Sequence, residues 1–348
     1  MTFLFNRDWT PQEILKRVGS MDQLAGIRAL EAADGTARGS RMFQVWTGSG
    51  LSFNVLADRA LDISACRYKD IPLAWASSPG DVHPAYYEPQ GLGWLRSFQG
   101  GLLVTCGLDH FGPPSDDKGE TFGIHGRIGN LPARYVGHRA YWTKAGDYEL
   151  EISGEVRQTR VFGENLTLRR RISTRLGSNT IRIADVVTNE GFCPQPHMIL
   201  YHFNLGFPLL SEDTRLHINA QESVARDEDA EAGLSDWQRF QPPASNYREQ
   251  VFRHTPQTGD DGKARVEIEN PRLGLGLRLT YKSVNLPYLL EWKMMGEGIY
   301  VLGIEPVNCG VMGGRAAARE SGDLPSLEPG EDRCYELELE VIEYPQEA

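Results

Sequence analysis

Through long stretches of this sequence every second residue is apolar. Tyr148, Leu150 and Ile152 alternate with Glu149, Glu151 and Ser153. Leu166, Leu168, Arg170 and Ile172 share one side of the next run, and Ile181, Ile183, Asp185 and Val187 one side of the run after it. Near the C-terminus Tyr335, Leu337, Leu339 and Val341 alternate with Glu336, Glu338 and Glu340. Successive side chains on a strand point to opposite faces, whereas a helix repeats every 3.6 residues. Such runs predict half-buried strands of antiparallel sheets. About fifteen of them follow one another, separated by Gly, Pro, Asn and Asp turns. The segment from Tyr148 to Thr188 reads as a meander turning at Gly163-Glu164-Asn165 and Leu176-Gly177-Ser178-Asn179.

One helix is marked. Thr10 caps it, Pro11 suits its first position, Glu13 completes a capping box, and Gly19 stops it. Ile14, Leu15 and Val18 would form its apolar face. The charged stretch 226–246 reads as a long loop with a turn of helix. No fixed-period repeat points to a propeller or solenoid. The fold class expected is all-β, a large antiparallel β-sandwich with a short N-terminal helix. Residues 1–40 are expected to pack on a single sandwich domain of residues 41–348, long enough to bury a large core without disulfides or metal.

Charge narrows the partners. With 36 Lys and Arg against 47 Asp and Glu, the net charge is −11. Arg169, Arg170 and Arg171 alternate faces on a strand and make no single basic patch, so nucleic acid is not an expected partner. No run reaches the roughly 18 apolar residues of a membrane helix. The N-terminus lacks the features of a signal peptide. Five scattered cysteines without a C-x-x-C read as free thiols and a cytoplasmic location.

Ionisable residues break the apolar pattern in a few places. The apolar, Gly-rich run from Gly100 ends in Asp109-His110, just after Trp94-Leu95-Arg96. His125 lies between glycines in Gly123-Ile124-His125-Gly126-Arg127, where another backbone or a ligand can approach. Each of these also reads as an ordinary loop or surface residue. His202 sits in an otherwise apolar strand, Met198 to Gly206, and Glu305 closes another, Tyr300 to Pro306. A buried carboxylate is expensive unless paired or at a cleft. An imidazole and a carboxylate at two strand ends can act as general acid and base.

Taken together these segments resemble the aldose 1-epimerases, or galactose mutarotases. Gly123-Ile124-His125-Gly126 is similar to their Leu-His-Gly-Gly signature, Gly303-Ile304-Glu305-Pro306 to Cys-Leu-Glu-Pro, and Phe203-Asn204-Leu205 to the end of His-Pro-Tyr-Phe-Asn-Leu. The closer resemblance is to a bacterial branch of that superfamily, a DUF4432-like domain of unknown function. It rests on Gly100 to Leu108, Gly123 to Arg127 and Trp292-Lys293. It implies the galactose mutarotase-like supersandwich and a sugar cleft. It implies Glu305 as the base at the anomeric hydroxyl and His202 as the acid at the ring oxygen. Arg96, His125, His110, Asp109, Arg127, Trp292 and Lys293 would contact the sugar. In the family register the histidine falls on Leu200, two residues before His202 and on the same face.

The expected function is that of a carbohydrate-binding isomerase, without cofactor or metal, acting on a small sugar. Arg127, where the family has glycine, suggests an acidic or phosphorylated sugar, unless it pairs with Asp109 or Glu120. The alternatives are a non-catalytic carbohydrate-binding protein and a metal-dependent sugar isomerase with ligands among His110, His125, His202 and Glu305. A nearby carboxylate, Glu305 or another, is expected to keep His202 protonated near pH 7.

Overall fold

The computed structural model describes residues 1–346 and consists mainly of two large antiparallel sheets. The first runs, in spatial order, Ala220–Ala225, Gln250–Pro256, Tyr288–Gly296, Ile299–Val307, Leu200–Gly206, Leu103–Cys106, Asp62–Tyr68, Leu51–Leu56, Arg41–Trp46 and Gly26–Glu31, with Ile71–Pro72 added beside Asp62–Tyr68. The second runs Arg134–Trp142, Tyr148–Thr159, Asn165–Arg175, Thr180–Asn189, Asp332–Glu343, Leu275–Lys282, Lys263–Asn270 and Arg215–Ile218. The expected meander forms its strands Tyr148–Thr159, Asn165–Arg175 and Thr180–Asn189, with Arg134–Trp142 added at the edge. The strand Gly26–Glu31 pairs with Arg41–Trp46, so the N-terminal segment is woven into the sheet edge as well as packed on it.

The alternation does what it predicts. Leu150, Ile172, Ile183 and Leu337 of the second sheet meet Phe53, Ile63, Tyr201 and Phe203 of the first in one buried core. Arg170 and Asp185, the polar members of two apolar faces, also point inward. The guanidinium binds Asp185 at 2.7 Å and Asp62 of the opposite sheet at 2.9 Å, all three fully buried. Burial alone would lower the Arg170 pKa, but the two carboxylates overcome it and push it up. Burial pulls Asp62 upward. Against it, Arg170 and the N–H and hydroxyl of Thr105 donate to that carboxylate and pull it back down.

The N-terminal helix is shorter than expected, Pro11–Leu15. Its capping box forms, but Leu15 is exposed and only Ile14 is buried. Five residues cannot turn both side chains toward the core. A second helix, Gly314–Ser321, escaped the sequence reading because its Ala-rich face is short and follows two glycines. The stretch 226–246 holds the helix Glu228–Glu231 and a 3₁₀ turn, Leu234–Asp236, as expected. Among the described residues no helix is long and apolar enough to cross a membrane.

The central strands of the first sheet are buried on both sides. One side faces the inter-sheet core. The other is roofed by loops carrying Trp94, Phe98 and Phe111, which pack on Leu200, Leu290 and Val307. Arg59 anchors this roof from below. Its guanidinium donates to the carbonyls of Gly129, Val82 and Ser97, three separate loops.

Candidate active site

A cavity of about 690 Å³ opens on that roofed face. Its floor is the pair of strands Leu200–Gly206 and Ile299–Val307. Their register sets Leu200 against Val307 and Phe203 against Ile304, which puts His202 opposite Glu305. Opposed residues share a face, and here that face is the cavity. His202 Nε2 lies 3.2 Å from Glu305 Oε1, with both side chains only 5% exposed. Leu200, where the family register places its histidine, lines the same cavity.

Local sequence makes room for the pair. Gly303 shares the face of Glu305. A Cβ at this position would sit 2.6 Å from Glu305 Oε1 and 3.2 Å from His202 Cε1. Aromatic rings then box the imidazole. Phe98 lies 5.3 Å from it, Trp292 meets it edge-on at 5.5 Å, and His125 at 5.7 Å. His125 itself holds a left-handed backbone, φ +61°, under Trp94. That conformation is uncommon outside glycine, and it turns the ring into the cavity.

Electrostatics in this pocket reverse the expected charges. Burial pushes the Glu305 carboxyl up to about 8, with Glu249 adding to the effect and Arg226 opposing it. Burial, and then His125, push His202 well below the usual imidazole range. Both directions favour a protonated carboxyl beside a neutral imidazole, against the expectation that a neighbouring acid keeps His202 protonated, and desolvation is the first cause of each. Among the described residues His202 Nδ1 has no well-formed hydrogen bond, and Asn204 beside it pulls its pKa only weakly upward. Burial also drives His125 down to about 3.

Of the residues expected to surround a sugar, His202, Glu305, His125 and Trp292 line the cavity. The others do not. The Arg96 side chain is 74% exposed and pairs with Glu88 at 3.4 Å. Asp109 is buried behind the wall, where it accepts from Gln158 at 2.6 Å and pairs with Arg315 at 3.2 Å. His110 is buried beside Phe122, and burial and Arg315 drive its pKa down to about 4. Arg127 is exposed outside the cavity. Its alternative partners are engaged elsewhere, Asp109 by Arg315 and Glu120 by Arg160. Lys293 points to the other face of its strand, where its ammonium donates to the Asp236 carbonyl. Neighbours on a strand cannot both face one cavity, which excludes Lys293 once Trp292 is inside.

The sequence reading missed other groups. Trp75 and Phe98 join Trp94 in the cavity lining, and the aromatic density of residues 75–98 was their only signal. Glu249 accepts the Trp292 indole N–H at 2.9 Å and pairs with Arg226 at 3.0 Å. Arg226 opens the charged stretch that reads as loop, and Glu249 lies three residues beyond its end.

A family model described as "Domain of unknown function (DUF4432)" matches residues 37–341. Among solved structures, the fold is similar to that of a Klebsiella pneumoniae subsp. pneumoniae protein provisionally described as an aldose 1-epimerase. The two are 25% identical, with a TM-score of 0.84, over 93% of this chain and 87% of that one. A galactose mutarotase-like protein from Clostridium acetobutylicum is 14% identical with a TM-score of 0.63, over 92% and 99% of the two chains. Galactose 1-epimerase from Lactobacillus acidophilus is 13% identical with a TM-score of 0.59, again over 92% and 99%. A search of curated proteins gives no significant match.

Proposed function

This chain belongs to the DUF4432 family, and from that premise and its mutarotase-like fold we propose that it is a sugar isomerase of the aldose 1-epimerase type. The observation that carries the reading is the 3.2 Å contact of His202 with Glu305 at the floor of an aromatic-lined cavity. Mutarotation needs a proton removed from the anomeric hydroxyl and one delivered to the ring oxygen. The C1–O5 bond then opens to an aldehyde, C1–C2 rotates, and the ring closes on the other face. The pair offers one acidic and one basic group between the pKa of His202 and that of Glu305. At rest the proton sits on Glu305, which makes Glu305 the donor to the ring oxygen and neutral His202 the acceptor. Those roles are the reverse of what the family resemblance implies. His125 offers a neutral imidazole to a hydroxyl. Trp292 and Phe98 suit the apolar faces of a pyranose.

The metal-isomerase alternative is disfavoured because His110 lies outside the cavity that holds His125, His202 and Glu305. Among the described residues no three His, Cys, Asp or Glu are placed to hold an ion. The five free cysteines suit a reducing compartment.

Anomer exchange, read by NMR saturation transfer or by polarimetry on freshly dissolved aldoses, tests the proposal. Exchange faster than the buffer rate that disappears in Glu305→Gln and in His202→Asn supports it. Sugar binding with no exchange on any aldose would favour the non-catalytic carbohydrate-binding reading.

A further inference from the structure

The cavity is built for more than one sugar ring. At about 690 Å³ it falls within the range of roughly 300–1,000 Å³ typical of sites for drug-sized ligands. A pyranose whose anomeric carbon reaches Glu305 and His202 leaves part of this volume free. Leu92 and Leu95, on a roofing loop, and Ile299, at the far end of the floor strand from Glu305, line the cavity and are nonetheless 58%, 45% and 45% exposed. Large apolar side chains clustered in solvent at the rim of a cleft mark a surface that a ligand covers.

Charge at the mouth points the same way. The arginine that lines the cavity, Arg226, is held by Glu249 at 3.0 Å and by Asp227 at 2.7 Å. Its charge is compensated, and it offers an anionic sugar no free cation. Arg127 and Arg96, the other candidates, lie outside the lining.

Resting on the isomerase reading above, we propose that the substrate is an uncharged reducing sugar carrying an apolar group on the side of the ring away from the anomeric carbon. Leu92, Leu95 and Ile299 are the exposed apolar side chains in the lining that such a group would cover.

The test compares D-galactose and D-glucose with their 6-O-benzoyl derivatives and with the matching uronic acids. Anomer exchange gives kcat/KM, and quenching of tryptophan fluorescence gives Kd independently of turnover, since Trp75, Trp94 and Trp292 all line the cavity. The benzoylated sugars should show kcat/KM and affinity at least about tenfold above their parents, the scale of a modest apolar pocket contact. In Leu95→Ser and Ile299→Ser the ratio should shrink to about twofold. Equal values for parent and derivative, a preference for the uronic acids, or a ratio unchanged in both variants would overturn the proposal. Binding preference without turnover would leave this inference standing and remove the isomerase reading, while turnover without preference would do the reverse. If sedimentation shows a dimer that Leu92→Asp dissociates, the rim belongs to a second copy of the chain and the inference falls.

Discussion

Two His–Glu contacts lie on the first sheet, one on each face. Glu291 and Glu305 occupy neighbouring strands, but Glu291 stands opposite Ile304 and Glu305 opposite Leu290, so their side chains point in opposite directions. On the core side His254 Nε2 lies 3.1 Å from Glu291, its Nδ1 lies 2.8 Å from Ser223 Oγ, and Trp237 packs 4.6 Å from the ring. Both ring nitrogens are engaged, and both side chains are fully buried. On the other side His202 touches Glu305 at 3.2 Å with its second nitrogen unengaged and about 690 Å³ of space above it. The same two residue types thus serve cohesion in one place and face an open cavity in the other. Burial does not separate them, since it raises both carboxyls. The engagement of the second imidazole nitrogen and access to the cavity do.

The sharpest way to break this contrast is to remove each pair in turn. Glu305→Gln should lower turnover by about 10²- to 10⁴-fold, the span for losing a general acid or base, without lowering the unfolding midpoint in urea, because the amide need not take up a proton on folding. Gly303→Ala should cost about 10²-fold, as expected for a catalytic group displaced by an ångström or so, because its methyl would occupy the place of the Glu305 carboxyl. Far-UV circular dichroism should be unaltered. A Gly303→Ala protein with full turnover would show that the 3.2 Å contact is not needed.

On the opposite face the signs exchange. His254→Phe should destabilise the fold by about 1–3 kcal/mol, the cost of leaving buried partners unpaired. Its turnover per folded molecule should stay within about twofold. A large loss of kcat with normal stability would mean that the core-side pair communicates with the site.

The smallest effect is on pH. Glu305 has a native pKa of about 8 against an ordinary 4.5, and His202 lies well below 6.5. A carboxyl with a raised native pKa gives stability that is complete below 4.5 and lost as pH rises through 8. A histidine with a lowered native pKa acts oppositely, and its contribution is complete above 6.5. Below 6.5, down to the native pKa of His202, the two effects oppose each other. From about 6.5 to 8 the native state holds one proton more than the unfolded chain, so stability should fall by up to about 1.4 kcal/mol per pH unit. Glu305→Gln should flatten that window. Turnover should decline above about pH 8 as Glu305 ionises, and ¹⁵N shifts should report a neutral His202 at pH 7. An imidazolium at that pH would restore the roles implied by the family resemblance.

Much of the fold was legible because strand period is local. Leu337 and Leu339 need no tertiary information to declare their side of the sheet, and the same parity sent Arg170 and Asp185 inward. The floor of the site was legible for a related reason. His202 and Glu305 are polar residues on strands otherwise suited to a core, and that cost requires an account. The walls were not legible. Arg96, Asp109, His110 and Arg127 lie on loops or strand ends, where no period says which way a side chain turns. Lys293 is the exception, since parity alone opposes it to Trp292.

By itself, then, the sequence determined the strand pattern, the capped first turn of helix and the two polar residues, an imidazole and a carboxylate, that break apolar strands. These follow from nearest-neighbour geometry and from the cost of burying charge. Tertiary structure decided which His–Glu pair meets a cavity, which arginines face it, and where the proton sits. Each of those depends on how residues far apart in the chain exclude water from one another. Arg226 and Glu249 reach a cleft floored by Glu305 because the strands Ala220–Ala225 and Gln250–Pro256 that they adjoin pair with each other and then with the strand of Trp292, and desolvation in that enclosure acts first on both members of the pair.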